Sequence, residues 1–583
     1  MLLNLGAPPL FYPRGDIATT LWNHWWFAEA LSHGVNPYRS PAIFHPFGAP
    51  LFLHTFEIVD AIIAWPVRAL VGVEAAWKFA FVLHNFWTLV AAHLLARRLG
   101  IVASGAIVSA ILLCCCSYRF VNAPALSLLA TGHLFFLWWA IVGCWQRPDD
   151  WRRGLWLGAG AVVLLYANLY YLFFTALIAA PTGVALAIAA RPGRAAWIGW
   201  SRQLGVAAML GCGPLAFIVI GLRDSQGYMG VVSGYTEWNQ IRGSADLAQL
   251  LLPRWVRALL TGEAVPDEPW ALLAPPLRVI AYAPPLMFMA ISLFGWCRAP
   301  AAADEVSVKP RGVRLGLVTV ALLSIFVAIG PRVKVWTITD PADVPASENI
   351  GRPPDWRGIS FPSPYAMLAD LPGFSHIRGN TRAAYFMQAA IILLLAPAFV
   401  RGFQRTLNIA KSQGIHPAIP ALAFGTLLWL EQPIPFFPTE PRLDRAGLEL
   451  LHDLPGDGAV RTYPDRGFVI QGLAMYDQTI HGRPILGGYL SRDLPEYNHW
   501  IDARPWEQHF HSILAGRRPS MTDAQRTVIL RVAREDGMRF IVFYKTIQME
   551  GMSEDFLPSL LRQRLGSILW QDDTMAVVEI ARE

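Results

Sequence analysis

The sequence predicts a mostly α-helical, polytopic membrane protein of about ten spans, with a small α/β domain at its C-terminal end on the outer face. Three observations predict it. Apolar residues fill 54% of the 583 positions and charged residues only 15%, against roughly 25% charged in an ordinary soluble domain. Apolar runs of spanning length recur through the middle of the chain and stop before its last quarter. The connections between those runs alternate between short basic ones and long ones of mixed charge.

The first 74 residues read as an outer segment. Met1 to Tyr12 is apolar but too short to span, and it lacks the basic start of a signal peptide. Positions 17–31 have helical spacing. Asp16, Thr20, Asn23 and Phe27 share one face of that helix, at i, i+4, i+7 and i+11. Trp22, Trp25 and Trp26 cover much of the rest, as expected of a helix resting at headgroup level. The stretch 51–72 is broken by Asp60, Pro66 and Arg68, which predicts an interfacial helix and not a span.

Spans are predicted at 75–96, 101–121, 125–145, 154–169, 170–190, 203–222, 276–297, 313–330, 382–402 and 416–432. The stretch 154–190 divides into two helices joined tightly at Asn168 to Tyr171. Five connections carry the basic residues: Arg97 and Arg98; Arg147 to Arg153; Arg191 to Arg202; Arg298 to Arg314; and Arg401 to Lys411. All five fall on one face, which the positive-inside rule makes cytoplasmic. The opposite face receives 1–74, the loops 223–275 and 331–381 that interrupt the helical domain 75–436, and the C-terminal domain 437–583. In that last region strands are expected at Ala459–Tyr463, Phe468–Gln471 and Phe540–Tyr544. A hairpin of Ser567–Gln571 with Met575–Ile580 should turn at Asp572–Asp573, and a helix should cover Thr522–Glu535.

Composition narrows the partners. The net charge of +6 is spread over membrane-flanking loops, so it points to the lipid bilayer and not to nucleic acid. All six cysteines lie in or beside apolar runs, which argues against a disulfide framework and a thiolate zinc site. His24, His33, His45 and His54 crowd the start of the chain without the spacing of a compact ligand motif.

Candidate chemistry sits in three stretches. Asp16 is placed either to cap its helix or to present a carboxylate to a cleft, and the two roles are compatible. Thr20, Asn23, His24, Asn36 and Tyr38 offer hydrogen-bonding groups around it. Before the span at 382, the stretch Leu371–Arg382 supplies His376, Arg378 and Arg382, either as interface anchors or as phosphate ligands, with Lys334 on the same face. Guanidinium suits phosphate through its planar pair of donors. In Met475–Arg492, Asp477 and His481 stand four apart, as an acid–base pair or within a glycine-rich turn that docks the domain onto the membrane part.

At these residues the chain resembles the GT-C superfamily of membrane glycosyltransferases, and YfhO-like bacterial membrane proteins in particular. Gly15-Asp16, Trp22, Trp26, Gly34, Asn36-Pro37-Tyr38 and Phe47-Gly48 look like that group's first outer loop. Pro372-Gly373-Phe374 with its basic tail looks like a second segment, and His481-Gly482-Arg483-Pro484 to Gly487-Gly488-Tyr489 like a third. The resemblance implies an enzyme of a bacterial inner membrane that moves a hexosyl or pentosyl group. The donor would be a sugar on a polyprenyl phosphate, and the acceptor an envelope glycan or lipid. It implies a catalytic carboxylate at Asp16, phosphate binding by His376, Arg378, Arg382 and Lys334, and room for a divalent metal. Relatives carry a membrane helix before this loop, so about 20 apolar residues are expected upstream of Met1 in the gene. Two competing readings are a transporter or flippase for a lipid-linked glycan, and a non-catalytic scaffold for envelope assembly. The first calls for ionisable groups within spans, for which His84, His93 and His133 are the candidates.

Overall fold

The structure is a computed structural model. Apart from short gaps, it describes residues 15–230, 286–297, 310–338, 357–431, 445–546 and 555–581, together with residues 240, 244, 245 and 247. His376 and Arg378 lie outside the described residues, as does most of the loop 223–275.

Two helices, α1 (Asp16–Ser32) and α2 (Ile58–Val71), precede the bundle. Between them runs a small antiparallel pair, β1 (Arg39–Ser40) and β2 (Ala49–Pro50). Helix α2 buries Asp60, Ala61 and Ala64 and exposes Ile62, Trp65 and Leu70 on its other side. Exposed apolar residues opposite a face buried against protein are what a helix lying at the interface presents to lipid.

The bundle comprises α3 (Val73–Arg98), α4 (Ala103–Cys114), α5 (Thr131–Gln146), α6 (Arg153–Ala167), α7 (Leu169–Ala190), α8 (Arg194–Ser225), α9 (Leu286–Cys297), α10 (Pro310–Ile329), α11 (Ala384–Ser412) and α12 (Ala418–Glu431). Each predicted span overlaps one of these ten helices; the span at 101–121 is helical over Ala103–Cys114, and residues 276–285 and 432 lie outside the described residues. Among the described residues, six helical stretches are long and apolar enough to cross a membrane, and α4 and α6 are shorter apolar helices. The α6/α7 division falls where expected, because the Asn168 side chain accepts from the Tyr171 N–H at 3.0 Å and caps α7. Large apolar side chains on α8, among them Leu204, Met209 and Ile220, are exposed, as lipid-facing residues are.

Helices in lipid hold together by close backbone approach, since burying apolar surface gains little there. A Cβ on Gly154 would fall 2.4 Å from the Gln203 carbonyl oxygen, and one on Gly158 would fall 3.0 Å from Ala207. The Gly154-x-x-x-Gly158 pair therefore seats α6 on α8. Buried Arg119, in the connection before α5, donates to Thr88 Oγ1 at 2.8 Å, the Leu129 carbonyl at 2.9 Å and Asn85 Oδ1 at 3.0 Å. Its bonds fix the connection that carries Ser127.

Strands β3 (Arg332–Ile338) and β4 (Arg357–Pro362) form an antiparallel pair between α10 and α11. The C-terminal region contains α13 (Ala446–Asp453), β5 (Ala459–Tyr463), α14 (Phe468–His481), α15 (Pro495–Asp502), α16 (Pro505–Leu514), α17 (Asp523–Glu535), β6 (Met538–Tyr544), α18 (Phe556–Arg562), β7 (Gly566–Gln571) and β8 (Met575–Ile580). Its sheet runs β5-β6-β8-β7, with β5 and β6 parallel and the other pairs antiparallel. Thr522 and Gln525 cap α17 reciprocally.

Two expectations need correction. Phe468–Gln471 is the first turn of α14 and not a strand. Ile470, Leu473, Ala474, Asp477, Gln478 and His481 are all buried, so the apolar period continues at helical spacing beyond the short run. Trp22 and Trp26 do not sit at headgroup level. Both are buried and their rings stack at 6.0 Å, because the C-terminal region covers α1. Trp22 Nε1 donates to Gln478 Oε1 of α14 at 2.7 Å, and Trp26 Nε1 donates to the Pro37 carbonyl at 2.9 Å.

Candidate active site where the bundle meets the C-terminal domain

The first outer segment is stitched to the C-terminal region by backbone. Phe44 N–H donates to the Gly487 carbonyl at 2.8 Å, His45 N–H to the Ile485 carbonyl at 3.1 Å, and Ile485 N–H to the Ala42 carbonyl at 2.9 Å. Gly487 and Gly488 adopt φ of 139° and 138°, and a Cβ on Gly488 would press on Ile43 at 3.1 Å. Side chains are disfavoured there, so this glycine pair is what lets the turn dock.

Asp477 and His481 take separate partners in this interface. Tyr544 donates its hydroxyl to Asp477 Oδ2, and burial raises that carboxyl to about 7. His481 Nδ1 accepts the Arg483 N–H at 3.0 Å, and burial lowers its ring to about 3. Both serve packing between α14 and its neighbours.

Asp16 opens α1 as its first residue and Gly15 is the cap, so the carboxylate does not cap the helix in the way its type suggests. The residue is exposed, while Thr20, Asn23 and Phe27 on the same stripe are buried. Thr20 Oγ1 donates to the Asp16 carbonyl at 2.8 Å. Asn23 Nδ2 donates to the Thr55 carbonyl at 2.9 Å, and its Oδ1 meets His54 Nε2 at 3.1 Å. Burial lowers His54 and His24 to about 4 each, so both rings are neutral at physiological pH. Asn36 is exposed and its Oδ1 accepts the Tyr38 N–H at 2.9 Å. Tyr38 is buried against Phe52, with ring centroids 4.5 Å apart.

From Thr55 the contacts lead across to the bundle. Thr55 Oγ1 lies 3.2 Å from Ser491 Oγ. The adjacent Arg492 donates from Nη1 to the Ser491 carbonyl at 3.2 Å, and its charge is favoured by Tyr170 in the first turn of α7. The Arg382 guanidinium lies over the same Tyr170 ring, 4.6 Å from its centroid. The site thus joins the first outer segment, the C-terminal region, α7 and the lead-in to α11. Of the predicted phosphate ligands, Arg382 is at this junction. Lys334 is buried, with Nζ donating to the Ser244 carbonyl at 2.7 Å, so it braces the β3 loop.

Two buried acids whose partners sequence reasoning missed, Glu57 and Asp60, lie beneath α1. Glu57 Oε1 accepts the Ser127 N–H at 3.0 Å, and Ser127's carbonyl accepts Asn168 Nδ2 at 2.7 Å. Burial, reinforced by Asp60, raises Glu57 to about 8, so it carries its proton at neutral pH. Asp60 Oδ1 pairs with His84 Nε2 at 2.9 Å. An acid inside an otherwise apolar segment was the available signal, because such a group needs a buried partner.

Among the described residues, two clusters have the residue types of a metal site: Asp60, His84 and His133, and Asp465, Glu507 and His511. Neither fits as it stands. Trp87 Nε1 donates to His133 Nδ1 at 3.1 Å, which leaves the ring proton on Nε2 and no lone pair for a cation. In the second cluster the Arg461 guanidinium already bonds both Asp465 and Glu507 and occupies the cation's place.

No protein-family model matches the chain, and no curated protein matches it. Solved structures do. The chain superposes on the oligosaccharyltransferase of Archaeoglobus fulgidus with a TM-score of 0.50 and 10% identity, over 98% of this chain and 71% of that one. It superposes on the arabinofuranosyltransferase AftD from mycobacteria with a TM-score of 0.54 and 14% identity, over 100% of this chain and 41% of that one. With that arrangement of helices and its appended α/β region, the chain is a membrane protein of the GT-C fold.

Proposed function

We propose that the chain is a membrane glycosyltransferase that moves a sugar from a polyprenyl-phosphate donor to an envelope glycan or lipid at the outer face of a bacterial inner membrane. The observation that carries this reading is the junction itself. On a GT-C fold, α1 presents an exposed carboxylate at Asp16 and a guanidinium at the foot of α11 lies over Tyr170, residue types suited to the two ends of a glycosyl transfer. Asn23 lies seven residues, about 10 Å, along α1 from Asp16. Its contacts run through Thr55 to Ser491, whose carbonyl accepts from Arg492.

The chemistry follows from the two ends. The acceptor hydroxyl oxygen attacks the anomeric carbon of the donor. The new glycosidic bond forms as the bond from that carbon to the phosphate oxygen breaks, and the phosphate leaves with the electron pair. Asp16 takes the hydroxyl proton. Arg382, with Arg378 and His376 nearby in sequence, offsets the charge that builds on the leaving phosphate. No step calls on the two carboxylate–histidine clusters.

The test is transfer itself. Membranes with and without the chain are analysed by mass spectrometry for polyprenyl-phosphate sugars and envelope glycans, with Asp16→Asn as the paired variant. The expected result is a glycan lost and a lipid-linked sugar accumulated both in the deletion and with Asp16→Asn, while that variant is present at normal level. Unchanged glycans in the deletion would reject the proposal and favour a scaffold.

A further inference from the structure

Helix α8 carries an open cleft near its start. Arg194, Trp197, Ile198, Ser201 and Arg202 recur at i, i+3, i+4, i+7 and i+8, so they share one side of the helix, and together they line a cleft of about 640 Å³. The opposite side is fixed to protein. A Cβ on Gly199 would fall 2.0 Å from the Pro148 carbonyl oxygen, and Gln203 Nε2 donates to the carbonyls of Arg147 at 2.7 Å and Asp150 at 3.0 Å. The helix therefore cannot turn to bury the cleft. Trp200 holds one wall in place: it stacks on Trp145 with ring centroids 4.4 Å apart and meets the Trp197 ring edge-on at 5.2 Å.

The lining pairs charge with hydrocarbon. Trp197 and Ile198 are 52% and 44% exposed. Arg194 and Arg202 are exposed as well, and among the described residues neither guanidinium makes a hydrogen bond or an ion pair. Neighbouring basic groups have partners: Arg98 donates to the Trp139 carbonyl at 2.7 Å, and Arg153 pairs with Asp150 at 3.3 Å. The two cleft arginines start about 12 Å apart along the axis. Helical side chains lean toward the N-terminus, so Arg202 reaches back toward Arg194. Beyond Arg202 the exposed surface of α8 is apolar as far as Ile220. Two unpaired cations with hydrocarbon running away from them match a ligand with an anionic head and acyl tails. A soluble anion would leave the apolar part unused.

We propose that this cleft binds an anionic glycerophospholipid of the membrane leaflet on the basic face. The phosphodiester lies between Arg194 and Arg202, the glycerol backbone rests on Trp197 and Ile198, and the acyl chains follow α8. The inference is independent of glycosyl transfer, because the cleft opens among the basic connections and shares no residue with the site proposed for that reaction.

Native mass spectrometry of the full chain in detergent tests this, with phosphatidylglycerol and phosphatidylcholine of the same acyl chains as probes. Wild type should retain phosphatidylglycerol in preference to phosphatidylcholine. Arg194→Ala and Arg202→Ala should each weaken phosphatidylglycerol binding about fivefold and leave phosphatidylcholine unchanged. Ser201→Trp, which fills the cleft and keeps both charges, should weaken phosphatidylglycerol binding as well. Arg401→Ala removes an exposed charge outside the cleft and should have no effect. An equal loss with Arg401→Ala, or full binding by Ser201→Trp, would mean diffuse attraction to a basic surface and would overturn the proposal. So would equal retention of the two lipids by wild type. Excess glycerol phosphate should fail to displace the bound lipid, and displacement would reassign the cleft to a soluble anion.

Discussion

Arg382 folds back over its own approach. A Cβ on Gly379 would fall 2.9 Å from Arg382 Nε and 3.1 Å from its Cζ, so Gly379→Ala should push the guanidinium off Tyr170 without touching the core. Losing one charge-stabilising donor typically costs roughly a hundredfold in turnover. Arg382→Ala should show that loss, and Gly379→Ala a smaller one in the same direction, read as glycan transferred per unit of protein. His511 supports a second prediction at this scale. Burial alone would lower it, but bonds to Asp465 and Glu507 more than compensate and raise it to about 9. A raised histidine contributes stability that is full below its unfolded value and fades as pH climbs through about 9. Asp465 is shifted the other way: burial alone would raise it, but Arg461, His511 and Glu507 together lower it, so its contribution fades as acid protonates it. Thermal stability should therefore plateau between the carboxylate range and about pH 6.5 and fall from there to about pH 9, and His511→Gln should flatten that alkaline fall while lowering the plateau. An unchanged alkaline limb in that variant would remove the ion-pair account.

Single elements carry their own logic. The seam between α6 and α8 depends on Gly154 and Gly158, four residues apart on one face. Gly158→Leu must push α8 away at Ala207, and such overpacking typically costs about 1–3 kcal/mol. The expected result is a lower melting temperature in detergent, with Gly183→Leu as a control, since nothing lies within 4 Å of a Cβ there. The seam was not read from the sequence, because two glycines four apart name at most a face and not the helix that meets it. Helix α14 shows the opposite limit. Phe468-Val469-Ile470 reads locally as a strand, and only the buried positions up to His481 reveal the helical period.

At the scale of the molecule, the basic connections predict the orientation. Reporter fusions after residues 60 and 450 should both read as exported, since the positive-inside rule assigns the opposite face to the cytoplasm. A cytoplasmic signal at either position would invert the topology and move Asp16 and the C-terminal domain away from an outer-leaflet donor. Docking makes the two ends interdependent as well. The bonds of Phe44 and His45 to Gly487 and Ile485 close the C-terminal region over α1, which is why Trp22 packs against protein and not lipid.

The sequence by itself determined the class of the protein, the position of each apolar helix, the capped break at Asn168 and the terminal β-hairpin. These depend on local composition and periodicity, which the solvent reads one segment at a time. It also singled out Asp16 and Arg382 as residue types suited to the chemistry. Only the tertiary structure decided that Glu57 and Asp60 are buried acids with partners, that Lys334 braces a loop, and that Arg382 lies over Tyr170. Each of those facts joins residues far apart in the chain. Their pairing is fixed by how helices cross and how the C-terminal domain docks, and no local spacing records that.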